Sequence, residues 1–334
     1  MTPPAVLHDG LRGAAKTYAD RDAVLAGAVH LSYRALEDAS DRLASSLVAR
    51  VSRGDRVALM MTNRPEFVVV VNALSKLGAA SVLLSPAWKQ REVDHALALT
   101  GARLAFADGV ALDLLRNQLG DQVIDLDGDG YAAAISAPGG LPTVVVEPAD
   151  EAVLVFSSGT TGLPKAVRHT HASICHGIQH WIEALGLTDA DRFQVATPPS
   201  HILGLLNLVT AAAAGATVRL HPRFDLDEIL RRIQDERMTL EMAVAPIALA
   251  MANHPSIEDY DLSSLRYIMW GATPVTPSVA ELVTKRTGVR WLPAYGASEL
   301  PVITVNPVNR PDDWRLDSAG LPPTGVELRV VDLD

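Results

Sequence analysis

The most informative stretch of this chain is residues 153–171, which read V-L-V-F-S-S-G-T-T-G-L-P-K-A-V-R-H-T-H. Residues 153–156 form an apolar, β-branched run that predicts a buried strand. The run stops at a cluster of Ser, Thr and Gly, which Pro164 and Lys165 close. Glycines let successive backbone N–H groups turn toward one anion, and hydroxyls add further donors. The stretch therefore predicts a strand that leads into a phosphate-binding loop.

The predicted anion-binding residues combine hydroxyls, glycines and one lysine. They are Ser157, Ser158, Gly159, Thr160, Thr161, Gly162 and Lys165. A plain surface loop between two strands is the alternative, and this concentration of donors after a buried strand argues against it. The Walker loop does not fit, because it needs Gly directly before its Lys, whereas Lys165 follows Pro164.

The loop at 157–165 resembles the signature loop of the adenylate-forming (AMP-binding) superfamily. This superfamily includes acyl- and aryl-CoA synthetases, firefly luciferase and the adenylation domains of peptide synthetases, and it usually has Gly where this chain has Ala166. The segments at 54–67 and 76–86 also resemble the family. The resemblance implies an α/β fold of the acyl-CoA synthetase type, with several layers of helices and parallel-rich sheets.

A second motif, Y-G-A-S-E at 295–299, resembles the family's Y-G-x-T-E, with Ser in place of the usual Thr. The resemblance implies that Tyr295 stacks on adenine, Ser298 bonds the α-phosphate and Glu299 binds Mg²⁺. A G-x-S-x-G nucleophile elbow is excluded, because Leu300 stands where the second glycine belongs.

A third motif, G-A-T-P at 271–274, resembles the family segment whose backbone frames the adenine. The implied ATP- and AMP-binding residues, besides the loop, are Gly271, Ala272, Thr273, Pro274, Tyr295, Gly296 and Ser298. The implied catalytic residues are Thr160, Lys165, His201 and Glu299, of which Glu299 is the metal ligand.

The segment at 197–209, T-P-P-S-H-I-L-G-L-L-N-L-V, resembles the one that lines the family's acyl pocket. His201 takes the position of a histidine or aromatic residue that moves as substrates enter; the alternative is a satisfied core histidine. Amino-acid-activating relatives have an aspartate near this point, and its absence here favours an apolar acid. The expected pocket residues are His201, Ile202, Leu205, Met269, Trp270 and Gly296. Trp270 either reshapes the acyl tunnel or packs in the core, and the sequence leaves both open.

The length and composition of the chain limit the classes of protein to which it can belong. The chain has 334 residues, 48% of them hydrophobic and 20% charged, which suits one large or two ordinary globular domains. A net charge of −10 argues against general nucleic-acid binding. The sequence predicts no membrane insertion and no secretory signal, and with its single cysteine, Cys175, it favours a cytoplasmic protein.

Hydrophobic periodicity predicts a parallel α/β arrangement. Helical patterns within 11–47 flank a strand pair at 23–31, and Ser32 is a predicted N-cap. The remaining predictions are strands at 56–61, 80–84, 218–220 and 326–331, strand-bearing units at 243–250 and 265–270, helices at 66–77 and 228–236, and a surface connection at 121–140. Subdomains are expected at about 1–150 and 151–315, and a smaller β subdomain is expected to start at about 316.

Two histidines four residues apart, His176 and His180, have a spacing that can hold a metal on a helix. No third ligand is evident, and the family resemblance gives this helix no metal, so a surface pair is the favoured interpretation.

The resemblance covers essentially the whole chain and stops before the family's ribose-binding aspartate and small C-terminal domain, so we expect a large N-terminal domain. It implies activation of a hydrophobic carboxylic acid by ATP and Mg²⁺, followed by transfer to CoA. Three alternatives stay open: an enzyme that loads a carrier protein, a luciferase-like oxygenase, and a non-catalytic nucleotide- or acyl-binding module.

Overall fold

The computed structural model describes residues 4–139, 143–157 and 162–332. Within these ranges the chain alternates strands and helices. The strands are β1 (Asp22–Ala26), β2 (Val29–Ser32), β3 (Arg56–Met60), β4 (Ala80–Leu83), β5 (Leu104–Ala107), β6 (Val123–Asp125), β7 (Glu151–Ser157), β8 (Lys165–Thr170), β9 (Arg192–Val195), β10 (Thr217–Leu220), β11 (Leu240–Ala243), β12 (Tyr267–Trp270), β13 (Trp291–Tyr295) and β14 (Thr304–Val305). The α-helices are α1 (Asp9–Thr17), α2 (Tyr33–Leu47), α3 (Pro65–Lys76), α4 (Gln90–Thr100), α5 (Ala111–Leu119), α6 (Asp129–Ser136), α7 (His171–Leu185), α8 (Ile202–Ala214), α9 (Leu226–Glu236), α10 (Ala245–Asn253) and α11 (Pro277–Thr287).

The strands form two sheets. One has eight strands in the order β14-β13-β12-β11-β9-β10-β1-β2, and the other has six in the order β6-β5-β3-β4-β7-β8. Pairing is parallel in the interior of both sheets and antiparallel only for β1 with β2, β13 with β14 and β7 with β8. Parallel strands need crossover helices, which explains the alternation along the chain.

The layers follow from which helices cover each sheet. α1, α2, α3, α7 and α8 share one core with the inner faces of both sheets. α4 and α5 cover the outer face of the six-stranded sheet, and α9, α10 and α11 cover the outer face of the eight-stranded one. The result is a five-layered α/β architecture, which confirms the predicted fold class.

Most predicted elements are confirmed, with ends that move by a few residues. The Ser32 hydroxyl caps α2 by accepting the backbone N–H of Ala35 at 3.2 Å. The strand predicted before the phosphate loop is β7, which is buried from Ala152 to Phe156.

Three predictions about the chain's elements were wrong. Residues 121–140 are more than a surface connection, because they contain β6, the edge strand of the six-stranded sheet, and α6, which packs on α2. The unit predicted at 243–250 is mainly α10, whose strand, β11, ends at Ala243. Residues 326–331 form no strand, and only Leu321 bridges back, to Val305.

Neither sheet is confined to one side of the predicted subdomain boundary near residue 150. β1 and β2 join the eight-stranded sheet, while β7 and β8, which follow that boundary, join the six-stranded one. The subdomain limits themselves stay a prediction.

None of the helices in the described ranges combines the length and the apolar character that a membrane crossing requires.

Candidate active site

Three cavities lie beside the carboxyl ends of the parallel strands, and all three reach Ala272. They measure about 640, 200 and 410 Å³ and are called here the large, small and middle cavities. Ala272 has φ of +64°, a backbone conformation that costs a non-glycine residue energy and that clusters at functional sites. Ligands of open α/β sheets bind at these strand ends, so the junction at Ala272 is the candidate active site.

The middle cavity is lined by five of the seven residues that were predicted, besides the loop, to hold the nucleotide. Its walls include Ala272, Thr273, Pro274, Tyr295 and Gly296. The Tyr295 ring is 54% exposed, which leaves a face free for stacking on a planar ligand.

The side chain of Thr273 orients the G-A-T-P segment through two hydrogen bonds. Its hydroxyl accepts the backbone N–H of Ala245 and the indole N–H of Trp270, each at 3.1 Å. The G-A-T-P turn is therefore tied to the start of α10.

Gly296 lies where the middle and small cavities meet. A Cβ at this position would be 1.9 Å from the carbonyl oxygen of Pro301, so no side chain fits without a backbone shift.

The small cavity gathers four of the residues predicted for the acyl pocket. These are His201, Ile202, Met269 and Gly296. Gly271 and Ser298 also line it.

Leu205 and Trp270 do not line the small cavity. Leu205 is fully buried in the core between the sheets. Trp270 points to the opposite face of β12 from Met269 and packs against Trp291, with ring centroids 5.1 Å apart. Consecutive strand residues face opposite sides of a sheet, so Met269 and Trp270 cannot both face one cavity. Of the two interpretations of Trp270, the core one agrees with this position.

His201 lies between the small and large cavities and lines both. Its Nδ1 accepts the backbone N–H of Leu203 at 3.4 Å, which caps the start of α8. The side chain is open to the two cavities, so it is not a core histidine. Desolvation by the surrounding protein lowers the pKa of His201 and favours the neutral imidazole.

The large cavity is apolar and borders both ends of the phosphate loop. Ser157 and Pro164 lie in its wall, together with Trp88 and Phe156, whose rings meet edge-on at 5.0 Å. The His95 Nε2 atom lies 3.0 Å from the carbonyl oxygen of Pro164, which anchors the loop's far end on α4.

The phosphate loop itself is only partly described. Ser157 ends β7 and Lys165 begins β8, and the two residues pair across the antiparallel ladder. Lys165 is exposed, and Gly162 has φ of +91°, in the region that favours glycine. Ser158, Gly159, Thr160 and Thr161 lie outside the described residues.

The Y-G-A-S-E segment begins at the end of β13 and lines the small and middle cavities. Ser298 is partly buried, and Glu299 is exposed. The described residues contain no group of three or more His, Cys, Asp and Glu side chains that could hold a metal. Among the described residues, Glu299 is therefore an exposed carboxylate outside any such group, next to Ser298 in the sequence.

The histidine pair on α7 is outside the site. The rings of His176 and His180 are 6.4 Å apart, and Nε2 of His180 lies 3.1 Å from the carbonyl oxygen of Thr324. This contact and the lack of a third ligand among the described residues agree with a surface pair.

Sequence reasoning missed Trp181, which lies on α7 and forms part of the small cavity's wall. The helical pattern of residues after His171 places Trp181 on a helix, but nothing in the sequence indicates which face of α7 lines the cavity.

The chain is similar in sequence to curated CoA ligases. The chain is 32% identical over 316 residues to 4-coumarate–CoA ligase 2 of Oryza sativa subsp. japonica, covering 85% of this chain and 56% of that protein. It is also 32% identical over 321 residues to the medium-chain fatty-acid–CoA ligase of Escherichia coli (strain K12), covering 90% and 56%. The chain thus spans little more than half the length of these curated relatives.

The fold has a close counterpart in a long-chain-fatty-acid-CoA ligase (FadD1) from Archaeoglobus fulgidus. The TM-score is 0.92 at 22% identity, and the match covers 100% of this chain and 72% of that one. The model of the AMP-binding enzyme family matches residues 11–334. The chain therefore belongs to the AMP-binding enzyme family.

Proposed function

We propose that this protein activates a hydrophobic carboxylic acid with ATP and transfers the acyl group to the thiol of CoA. The observation that carries this proposal is the meeting of three cavities at Ala272. A reaction that joins a nucleotide, an acid and a thiol needs three binding places with one common point.

The middle cavity is proposed for the adenosine and the small cavity for the body of the acid. The acid's carboxylate then lies near Gly296, which lines both cavities, and near Ser298, which lines the small one. In the first step a carboxylate oxygen attacks the α-phosphorus of ATP, the bond from that phosphorus to the bridging oxygen breaks, and pyrophosphate leaves. Lys165 and the loop neutralise the charge that builds up on the pyrophosphate.

The large cavity is proposed for the long, thin arm that carries the thiol. Its walls are mainly apolar, and His201 stands between it and the small cavity. In the second step the sulfur attacks the acyl carbon, the carbon–oxygen bond to AMP breaks, and the thiol proton passes to the solvent or to the departing phosphate. A neutral imidazole at this point can move aside without leaving a charge unpaired.

Glu299 is the residue proposed to hold Mg²⁺. Magnesium in nucleotide sites is bound by one or two carboxylates and by substrate phosphates, and it does not need a cage of protein ligands. A lone exposed carboxylate fits this requirement. When bound, the ion would neutralise phosphate charge.

The relatives' names add support, since a 4-coumarate–CoA ligase and a medium-chain fatty-acid–CoA ligase both join an acid to CoA. A carrier-protein thiol remains the alternative acceptor. We also propose a cytoplasmic location, where the buried Cys175 stays reduced.

The test is calorimetric titration of this chain with non-hydrolysable acyl-sulfamoyl adenosines, with ATP, and with the free acids. These analogues join the two ligands proposed for the middle and small cavities. We expect them to bind at least about 100-fold more tightly than either part alone, because one molecule fills both cavities. If none of the analogues binds, the proposal is wrong.

A further inference from the structure

A buried tryptophan forms part of the wall of the small cavity. Trp181 lines the cavity and is 2% exposed, whereas Tyr295, which also lines it, is 54% exposed. Trp181 is therefore a buried part of the cavity's wall, whereas Tyr295 lies where the wall is open to solvent. An acid body that fills this cavity contacts the indole.

A hydrogen bond holds this indole in place. The Trp181 Nε1–H donates to Oδ1 of Asn207 at 2.9 Å, and Nδ2 of Asn207 lies 3.3 Å from Sδ of Met242. Asn207 is fully buried within α8, a helix made almost entirely of Leu, Val, Ala and Ile. If the indole turned away, both its N–H and the amide oxygen would be buried without partners. The wall is therefore fixed.

The remaining walls leave little space and no charge. The cavity of about 200 Å³ is smaller than the roughly 300–1,000 Å³ that drug-sized ligands usually occupy. Met269, Ala294 and Pro301 are apolar, and Gly271 and Gly296 have no side chain. A second charged group on the acid would find no partner among these walls.

We propose that Trp181, held by Asn207, sets the upper size of the acid that this protein accepts. The substrate class is then a compact, uncharged acid body, one ring or a chain of similar length, and long-chain acids are excluded. This inference rests on the proposed function, because it takes the small cavity as the place of the acid.

The experiment compares benzoyl-, hexanoyl- and hexadecanoyl-sulfamoyl adenosine by calorimetric titration of the 334-residue chain. We expect the two compact analogues to bind at least about 100-fold more tightly than the hexadecanoyl one. Trp181→Ala removes the wall, so we expect the hexadecanoyl analogue to gain at least about tenfold in affinity. Asn207→Leu removes the hydrogen bond to the indole but keeps the indole. We expect it to raise the affinity for the hexadecanoyl analogue by less than Trp181→Ala does.

Trp291→Ala is the matched control, because Trp291 is also 2% exposed but packs in the outer core with α9, α10 and α11 and lines none of the three cavities. It removes the same side chain and is expected to leave the preference for compact analogues unchanged. Should Trp181→Ala not fold, Trp181→Leu shortens the same wall with a smaller loss of packing.

The outcomes separate the two proposals. If compact analogues bind and the Trp181 variants keep the original preference, the inference on Trp181 is overturned and the proposed function stands. Equal binding of hexadecanoyl and compact analogues to the unchanged protein overturns it as well. If no analogue binds the unchanged protein, the proposed function falls and this inference falls with it.

Discussion

The Nε2 atom of His169 lies 2.8 Å from the carbonyl oxygen of Ser298. His169 is on β8, directly after the phosphate loop, and Ser298 is in the Y-G-A-S-E segment, so one contact joins motifs 129 residues apart in sequence. A carbonyl oxygen can only accept, so Nε2 carries the proton. Nδ1 faces the Ser173 hydroxyl at 3.2 Å. His169 is thus oriented from both sides and fixes the loop that carries Glu299.

His169→Ala should weaken binding of an acyl-sulfamoyl adenosine. It removes the hydrogen bond to Ser298, and a net value of about 1 kcal/mol for such a bond corresponds to about five- to tenfold in affinity. His176→Ala is the control, because His176 is exposed on the neighbouring helix. Calorimetric titration measures both variants. Equal losses in the two, or no loss in His169→Ala, would show that this contact does not position the site.

The sequence predicted which motifs build the site but not how their side chains share the cavities. Met269 and Trp270 are neighbours on β12, and strand geometry requires that only one of them faces the cavity, yet the sequence does not say which. The place of Trp181 in the cavity wall could not be predicted for a related reason, since tertiary packing determines which face of α7 is turned inward.

The errors in secondary structure have a similar origin. The alternating residues 326–331 resemble a strand, but a strand forms only where a neighbour satisfies its backbone, and the described residues offer these none. β6 has three residues and carries little periodic signal of its own.

Gly296→Ala should change the shape of the site where the middle and small cavities meet. Its Cβ would lie 1.9 Å from the carbonyl oxygen of Pro301, so the backbone between them must move and both adjoining cavities change shape. We expect acyl-sulfamoyl adenosine to bind at least about tenfold more weakly. Gly13→Ala is the matched control, because a Cβ there meets no atom within 4 Å. Unchanged affinity in Gly296→Ala would contradict the assignment of this junction.

Lys165→Ala should weaken ATP much more than AMP, because the lysine is proposed to neutralise the departing pyrophosphate. We expect a loss of about tenfold for ATP at low salt and little change for AMP. Arg168→Ala removes the same charge from the same strand, but Arg168 is paired with Glu151 and is expected to leave both affinities nearly unchanged. If both variants lose similar ATP affinity, the effect comes from the total positive charge of β8 and not from a specific contact of Lys165 with the phosphates.

Glu299→Gln should remove the effect of magnesium on ATP binding. The amide keeps the shape of the side chain and loses the charge that the ion requires. ATP affinity is measured with Mg²⁺ and with a chelator, and the ratio of the two is expected to fall toward one. Glu327→Gln serves as the control, since Glu327 is also exposed but lies outside the Y-G-A-S-E segment. A magnesium effect that survives in Glu299→Gln would exclude this residue as the ligand.

A buried carboxyl beneath α9 makes stability depend on pH. Glu241 is 1% exposed on β11 and accepts a hydrogen bond from Nε2 of Gln194 at 2.9 Å, while Oε1 of Gln194 lies 2.5 Å from Nε2 of His221. Burial raises the pKa of Glu241 from 4.5 to about 8 and lowers that of His221 to about 4. We therefore expect both groups to be neutral in the folded protein near pH 6.

The sign of the effect follows from linkage. Because the folded pKa of Glu241 is raised, its favourable contribution is complete below pH 4.5 and is lost as the pH rises to about 8, at about 1.4 kcal/mol per pH unit at most. Glu241→Gln keeps an acceptor for Gln194 and cannot ionise. The difference in Tm between this variant and the unchanged protein should therefore be small at pH 5 and clearly in the variant's favour at pH 8. All other side chains are the same in both proteins, so their contributions cancel in this difference. Glu281→Gln, at an exposed site on α11, should show no such trend. A Tm difference that stays constant from pH 5 to pH 8 would mean that Glu241 is already ionised in the folded protein.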